Sequence, residues 1–214
     1  MNQGQRPEPF FIGEQAAADF LNSVCAPWGE EIEWVDNGAD YIHWLLQAQL
    51  LPKAVAKRYL ETYADSELDD IARQARDLRE QFRALIQHLA TGNFAKSVDT
   101  DSVDFLNQIL SQDQCYTTLE VDPALHHFQQ VEHRHWDKTA DLLLPLAASM
   151  AALLCHPDLA QLKNCENPAC TLWFLDTSKN HKRRWCSMAV CGNRAKVAAH
   201  RARKKVVKEH KPKA

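Results

Sequence analysis

The stretch from Cys165 to Arg194 reads CENPACTLWFLDTSKNHKRRWCSMAVCGNR, and its cysteines decide how the rest of the chain is read. Cys165 and Cys170 make one pair and Cys186 and Cys191 another, each pair five residues apart. Five residues turn about 500° around an α-helix, so the two members lie about 140° off a common face. Each pair must therefore come from a turn, or from a turn and the start of a helix. Four soft thiolates presented by two tight turns are what tetrahedral zinc requires. Four thiolates leave no open coordination position, so the expectation is one structural zinc per chain. His181 could substitute as a ligand, but the four cysteines already complete the shell. The competing reading, four buried or redox-active thiols, accounts neither for the pairing nor for how so small a segment stays folded.

The residues between the pairs extend this reading. Asn167-Pro168 signals a turn inside the first pair, Leu172 to Leu175 is an apolar strand candidate, Thr177 to His181 is polar, and Arg183 to Trp185 reads as the returning strand. After Gly192-Asn193 the sequence turns helical. Knuckle, hairpin, second pair and helix is the layout of a zinc-ribbon or treble-clef-like finger ending in a basic helix. On a helical wheel Ala195, Ala198, Ala199, Ala202 and Val206 share one arc, a stripe suited to close packing, while cations crowd its flanks.

Charge separates this segment from the rest. Residues 1–160 hold 11 basic and 25 acidic side chains, and residues 161–214 hold 14 basic and 3 acidic, so a total of −3 conceals −14 and +11. The basic part suits a polyanion. The residues expected to meet it are Lys179, Asn180, Lys182, Arg183 and Arg184 in the loop, and Asn193, Arg194, Lys196, Arg201, Arg203, Lys204 and Lys205 along the helix. DNA is the expected partner and RNA the alternative, with Asn180, His181, Asn193 and Arg194 chemically able to read base edges. A cationic lid that docks on the acidic first part, or on an acidic protein partner, is the other reading of the same charges.

The first 160 residues read as a helical domain and the last 54 as the finger. Apolar stripes run through Glu14 to Val24, Tyr41 to Leu50, Lys53 to Tyr63 and, most clearly, Ser66 to Ala90, with a shorter helix from Asp101 or Ser102 to Leu110. The period then changes: Tyr116 to Val121 and Phe128 to Trp136 flank Asp122-Pro123 and read as a small β-hairpin. Asp137 to Cys155 returns to helix. The fold class expected is thus mainly α, a helical domain with one small hairpin, followed by the finger. Cys25, Cys115 and Cys155 sit in apolar settings and read as small core residues. His126, His127, His133 and His135 read as exposed strand histidines, with a second metal site as the sharper alternative.

Met1 to Pro9 has no apolar signal-peptide region, and the most apolar run, Leu142 to Cys155, is too short to span a bilayer. A cytoplasmic protein without membrane attachment is expected. No nucleophile elbow, phosphate loop, dinucleotide fingerprint or metalloprotease helix is present, so catalysis is not expected.

Residues Cys165 to Lys205 resemble a CGNR zinc finger, named for Cys191-Gly192-Asn193-Arg194, and that resemblance implies zinc on the same four cysteines. The region before it resembles the ABATE domain that accompanies this finger in stress-induced bacterial transcription regulators: Asp19-Phe20-Leu21-Asn22-Ser23 is similar to its Leu-Val-Asn-Thr motif, and Leu78 to Arg83 to its Leu-Arg-Glu-x-Leu-Arg helix. The resemblance implies a helical sensor or interaction domain, with a small-molecule effector, joined to a DNA-binding finger, and a homodimer would suit such a regulator. Asn22 and Arg79 are polar residues on apolar helices. Either they form a buried hydrogen-bonded pair or they line a pocket for an anionic ligand.

Overall fold

The computed structural model describes residues 6–26, 30–91, 100–122, 124–198 and 200–201. The chain forms two compact units, one from Trp34–His156 and the other from Met1–Glu33 together with Pro157–Ala214. The expected division at 160 separates the cysteine segment from the helices, but the first 33 residues join the cysteines' unit.

The unit Trp34–His156 is built on helices. The helix α2 (Gly38–Gln47) begins at Asn37, whose side chain accepts from the backbone N–H of Asp40 at 2.9 Å. Pro52 then precedes α3 (Lys53–Thr62), and the long helix α4 (Asp65–Thr91) carries Leu68, Ile71, Ala75, Leu78, Phe82, Leu85, Ile86 and Leu89 buried along its length, the stripe expected from the sequence. Gly38 lies against this helix so closely that a Cβ would meet backbone and side chain of Leu68 at 2.3–2.7 Å, and its N–H donates to Asp69 at 2.8 Å. Only glycine lets the start of α2 dock there.

A short helix α5 (Asp104–Leu110) leads into β3 (Cys115–Asp122) and β4 (His127–Arg134), an antiparallel hairpin with Cys115 opposite Arg134 and Asp122 opposite His127. A 3₁₀ turn, Thr139–Leu143, then opens α6 (Leu144–Leu154), which is apolar on nearly all sides and supplies Leu144, Leu146, Ala147, Met150 and Leu153 to the core. Buried Asp141 caps that turn by accepting from the N–H groups of Asp137 and Lys138. The hydroxyls of Tyr41 and Tyr59 donate to the carbonyls of Leu142 and Lys138, so two otherwise apolar side chains tie α2 and α3 to the turn.

The second unit starts with α1 (Ala16–Leu21) and a two-residue antiparallel ribbon of β1 (Val24–Cys25) and β2 (Ile32–Glu33). It resumes after Pro157 with β5 (Leu162–Asn164) and β6 (Trp173–Leu175), which pair antiparallel and enclose the first cysteine pair between them. The strand expected at Arg183–Trp185 is absent: β6 takes its partner from before the cysteines, because the chain after it coils around the buried carboxylate of Asp176. A single π-helical turn, Met188–Gly192, then runs into a helix over residues 193–198 and 200–201.

Two of the three cysteines expected in the core are on the surface. Cys25 is buried, but Cys115 opens β3 at its exposed edge and Cys155 caps the end of α6, and both are exposed. Among the described residues no helix is long and apolar enough to cross a membrane.

Candidate metal centre and basic face

The Sγ atoms of Cys165, Cys170, Cys186 and Cys191 all lie within 4.8 Å of one another, and all four residues are buried. Cys165 and Cys170 flank the tight turn between β5 and β6. Cys186 precedes the π-helical turn and Cys191 lies within it, so each pair comes from a turn, as its spacing required. The Sγ separations of Cys170–Cys186 and Cys186–Cys191 are 3.8 and 3.7 Å. A tetrahedron with metal–sulfur bonds of about 2.3 Å has edges of about 3.8 Å. The donor set and its spacing therefore fit zinc.

Electrostatics lead to the same conclusion. Hydrogen bonding with Cys186 pulls the Cys170 thiol down to about 6, while that contact and burial push the Cys186 thiol up. Buried thiolates this close repel one another, so only a cation lets all four ionise together. Backbone N–H groups already point at the sulfurs: those of Asn167 and Cys186 at Cys165, and that of Leu172 at Cys170. The Asn167 amide donates to Cys191 at 3.3 Å. Such donors stabilise negative sulfur and fix its direction. Gly192 is close-packed, since a Cβ there would meet Met188 Sδ at 2.7 Å and the Trp185 ring at 3.6 Å.

The cluster is braced by the chain's first residues. Asn22, buried on the turn after α1, accepts from the N–H of Trp173 at 2.7 Å and donates to its carbonyl at 2.9 Å. The N–H of Leu175 donates to the Gly13 carbonyl, and that of Ala26 to the Thr171 hydroxyl. Arg183 closes the joint: its guanidinium stacks over Phe174 at 4.3 Å, donates to the carbonyl of Cys186 at 2.6 Å, and pairs with Glu14 at 3.1 Å. Arg79 lies in the other unit, buried on α4 with Nε on Glu80 at 2.9 Å.

Asp176, at the end of β6, is fully buried and organises the basic loop. One carboxylate oxygen accepts from Lys163 Nζ and the N–H of Arg183, each at 2.8 Å, and the other from the N–H and hydroxyl of Ser178. Burial opposes its charge, but Lys163 and these donors outweigh it and hold the carboxyl well below the usual range. His181, in the left-handed region at φ 48°, makes an Nδ1 contact with the Asp176 carbonyl, and its own carbonyl accepts from Lys163. Lys179, Asn180 and Lys182 are left exposed on this loop.

Of the residues expected to meet nucleic acid, Lys179, Asn180, Lys182, Arg184, Asn193, Arg194, Lys196 and Arg201 are exposed. Arg184 is paired with Glu166 at 2.6 Å and lies over Trp185, and Asn193 donates to the Ala189 carbonyl. Arg183 is turned inward. Arg203, Lys204 and Lys205 lie outside the described residues, as do Ala199, Ala202 and Val206 of the alanine stripe. Of that stripe Ala195 is half-buried and Ala198 exposed. A shallow groove of about 630 Å³ runs along this face between Val190, Asn193, Arg194, Val197 and Arg201. Among the described residues the four cysteines form the only cluster suited to a metal, and His133 is instead engaged by Thr118 and Glu120.

Sequence reasoning missed Asp176 and the bracing role of Asn22 and Arg183. The Asp-x-Ser pattern at 176–178 was the available signal for the first, since it favours a turn closed on its own backbone. Nothing local announced the second, whose partners are 151 residues apart.

Residues 14–157 match the family model of ABATE, described as a putative stress-induced transcription regulator. The chain belongs to the ABATE family. Residues 161–204 match the CGNR zinc finger, which places the four-cysteine cluster inside a recognised zinc-binding module. No curated protein matches the chain. In this ABATE chain Asn22, near the start of the matched stretch, is hydrogen-bonded to the finger's β6.

Proposed function

We propose that this ABATE chain is a non-catalytic transcription regulator that holds one structural zinc ion on Cys165, Cys170, Cys186 and Cys191 and binds duplex DNA through the basic face beside it. A hairpin of β5 and β6 with the first cysteine pair in its turn, followed by a π-helical turn and a helix, supports a treble-clef-like reading of the finger. The observation that carries the nucleic-acid reading is the loop around Asp176: a buried carboxylate is spent on fixing a segment whose outward residues are Lys179, Asn180 and Lys182. Fixing cations in advance lowers the entropy lost on meeting phosphate. The groove with Asn193, Arg194, Val197 and Arg201 adds hydrogen-bond donors and an apolar strip, which suit base edges and thymine methyls.

The test uses the zinc-loaded full chain and a fluorescent random duplex. Neutralising six phosphates would give a slope of log K against log salt near about −5, and replacing Lys179, Lys182 and Lys196 together by Ala would make it shallower by about 0.9 for each phosphate left without its cation. Absence of binding at low salt would overturn the proposal. Tighter binding to single-stranded RNA would transfer the face to an RNA partner.

A further inference from the structure

In the unit Trp34–His156, β3 and β4 form a two-stranded sheet that pairs with no other strand among the described residues. Val121 and Phe128 are directly opposite in its register, and Leu119 lies two residues along the same face. They are 59%, 75% and 71% exposed, and Leu125 in the connecting turn is 68% exposed. The opposite face is mostly polar: His133 Nε2 is engaged by Thr118 at 2.8 Å and Glu120 at 3.1 Å, Tyr116 stacks on the His133 ring, and Val131 there is half-buried. The apolar side chains are therefore segregated, not scattered.

This hairpin is firmly built. Arg134 and Asp113 form a two-pronged ion pair with both bonds at 2.7 Å at its root. In the turn, one carboxylate oxygen of Asp122 accepts from the N–H groups of Ala124 and Leu125, and its carbonyl from that of His126. A lone hairpin is marginal in water, and an ordered one that displays leucine, valine and phenylalanine gains by covering them.

We infer that this face is the contact between two copies of the chain, packed hairpin on hairpin through Leu119, Val121 and Phe128. Two arguments select a second copy. Around Leu119, Val121 and Phe128 the face is uncharged, with Gln130 opposite Leu119 and with Glu120 and Asp122 on the other side. Its charged residues, Glu132 opposite Thr117 and the Asp113-paired Arg134 opposite Cys115, lie toward the root, so two identical apolar ends meet across a two-fold axis with no like charges between them. Its area also suffices. The four apolar side chains expose roughly 500 Å², the upper end of what single chains leave uncovered. Complete burial of both copies' patches, with Leu125 at the edge, would remove about 1,000 Å², where specific interfaces begin.

Sedimentation velocity on the zinc-loaded full chain, up to about 100 µM, tests this. The wild type is expected to sediment as a dimer, and Leu119→Asp with Phe128→Asp is expected to weaken self-association at least about a hundredfold with unchanged circular dichroism. Leu119→Gln with Phe128→Gln, a milder pair, should act in the same direction. A monomeric wild type would overturn the inference, and a loss of melting temperature in its Asp variant would then show that the chain covers this face itself. A dimer that survives both double substitutions would also overturn it. None of these readouts depends on nucleic-acid binding.

Discussion

At the scale of single residues, two buried polar side chains in the cysteines' unit make opposite contributions. Asn22 satisfies both backbone groups of Trp173, so Asn22→Ala leaves a buried N–H and a buried carbonyl without partners. The expected cost is about 2–4 kcal/mol in denaturant unfolding, with faster zinc release to a chelator; unchanged release would contradict the bracing role. Asn22→Asp should be nearly as harmful, because a carboxylate cannot donate to the Trp173 carbonyl. Asp19 works the other way. It is 7% exposed and accepts from the Gly13 N–H at 2.7 Å, and burial raises its carboxyl to about 6. The folded state then holds its proton more tightly than the unfolded state does. The resulting stability is fully present below about 4 and is lost as pH rises through about 6. Zinc loss on acidification has the opposite sign, so the useful quantity is the difference between Asp19→Asn and wild type at each pH. That difference should move in the variant's favour by about 2 kcal/mol between pH 4 and 7. A flat difference would show that Asp19 does not titrate in this window.

At the scale of elements, how legible a segment was depended on how local its determinants are. The stripe of α4 was readable because Leu68, Ile71, Ala75, Leu78 and Phe82 repeat at helical spacing within one segment, and the hairpin because Asp122-Pro123 separates two β-rich runs. Cysteine spacing located the metal centre, since five residues exclude a common helical face. The partner of β6 was misread for a physical reason: Arg183 to Trp185 has strand composition, but the N–H of Arg183 is taken by Asp176 and its guanidinium by Cys186 and Phe174. Surface cysteines were misread because Cys115 and Cys155 sit at element ends, where apolar neighbours in sequence do not imply burial. The loop from Asp176 to Arg183 supplies the prediction at this scale. Asp176→Asn removes the charge that neutralises half-buried Lys163 and frees the loop. Zinc stoichiometry should hold near one while nucleic-acid affinity falls at least about tenfold, a loss of about 1.4 kcal/mol. Ser178→Ala, which removes one of the donors, should fall between Asp176→Asn and wild type. Equal affinity in all three would detach the loop from binding.

At the scale of the molecule, the two compact units do not coincide with the two stretches that the family models match. The ABATE match runs over residues 14–157, yet its first 20 residues, 14–33, belong to the cysteines' unit. The finger is consequently discontinuous, held by Asn22 on Trp173, Gly13 on Leu175 and Arg183 on Glu14 in addition to its four-cysteine cluster. Small domains of this kind need such staples, because a core of that size contributes little on its own. Two consequences follow for the intact chain. Chelation should abolish hydrogen-exchange protection at Trp173, Leu175 and the Gly13–Asn22 segment together, since they share one cooperative unit. Protection along α2, α4 and α6 should persist, because Trp34–His156 has its own apolar core and no metal-binding cluster among its described residues, and most of the helical circular dichroism should persist with it. Deleting residues 1–26 should reproduce the effect of the chelator on the finger even with zinc in excess, because it removes Gly13, Glu14 and Asn22 at once. If the truncated chain keeps native zinc affinity and protection at Trp173, the finger stands without its N-terminal brace; if chelation also unfolds α4, the two units are one cooperative structure.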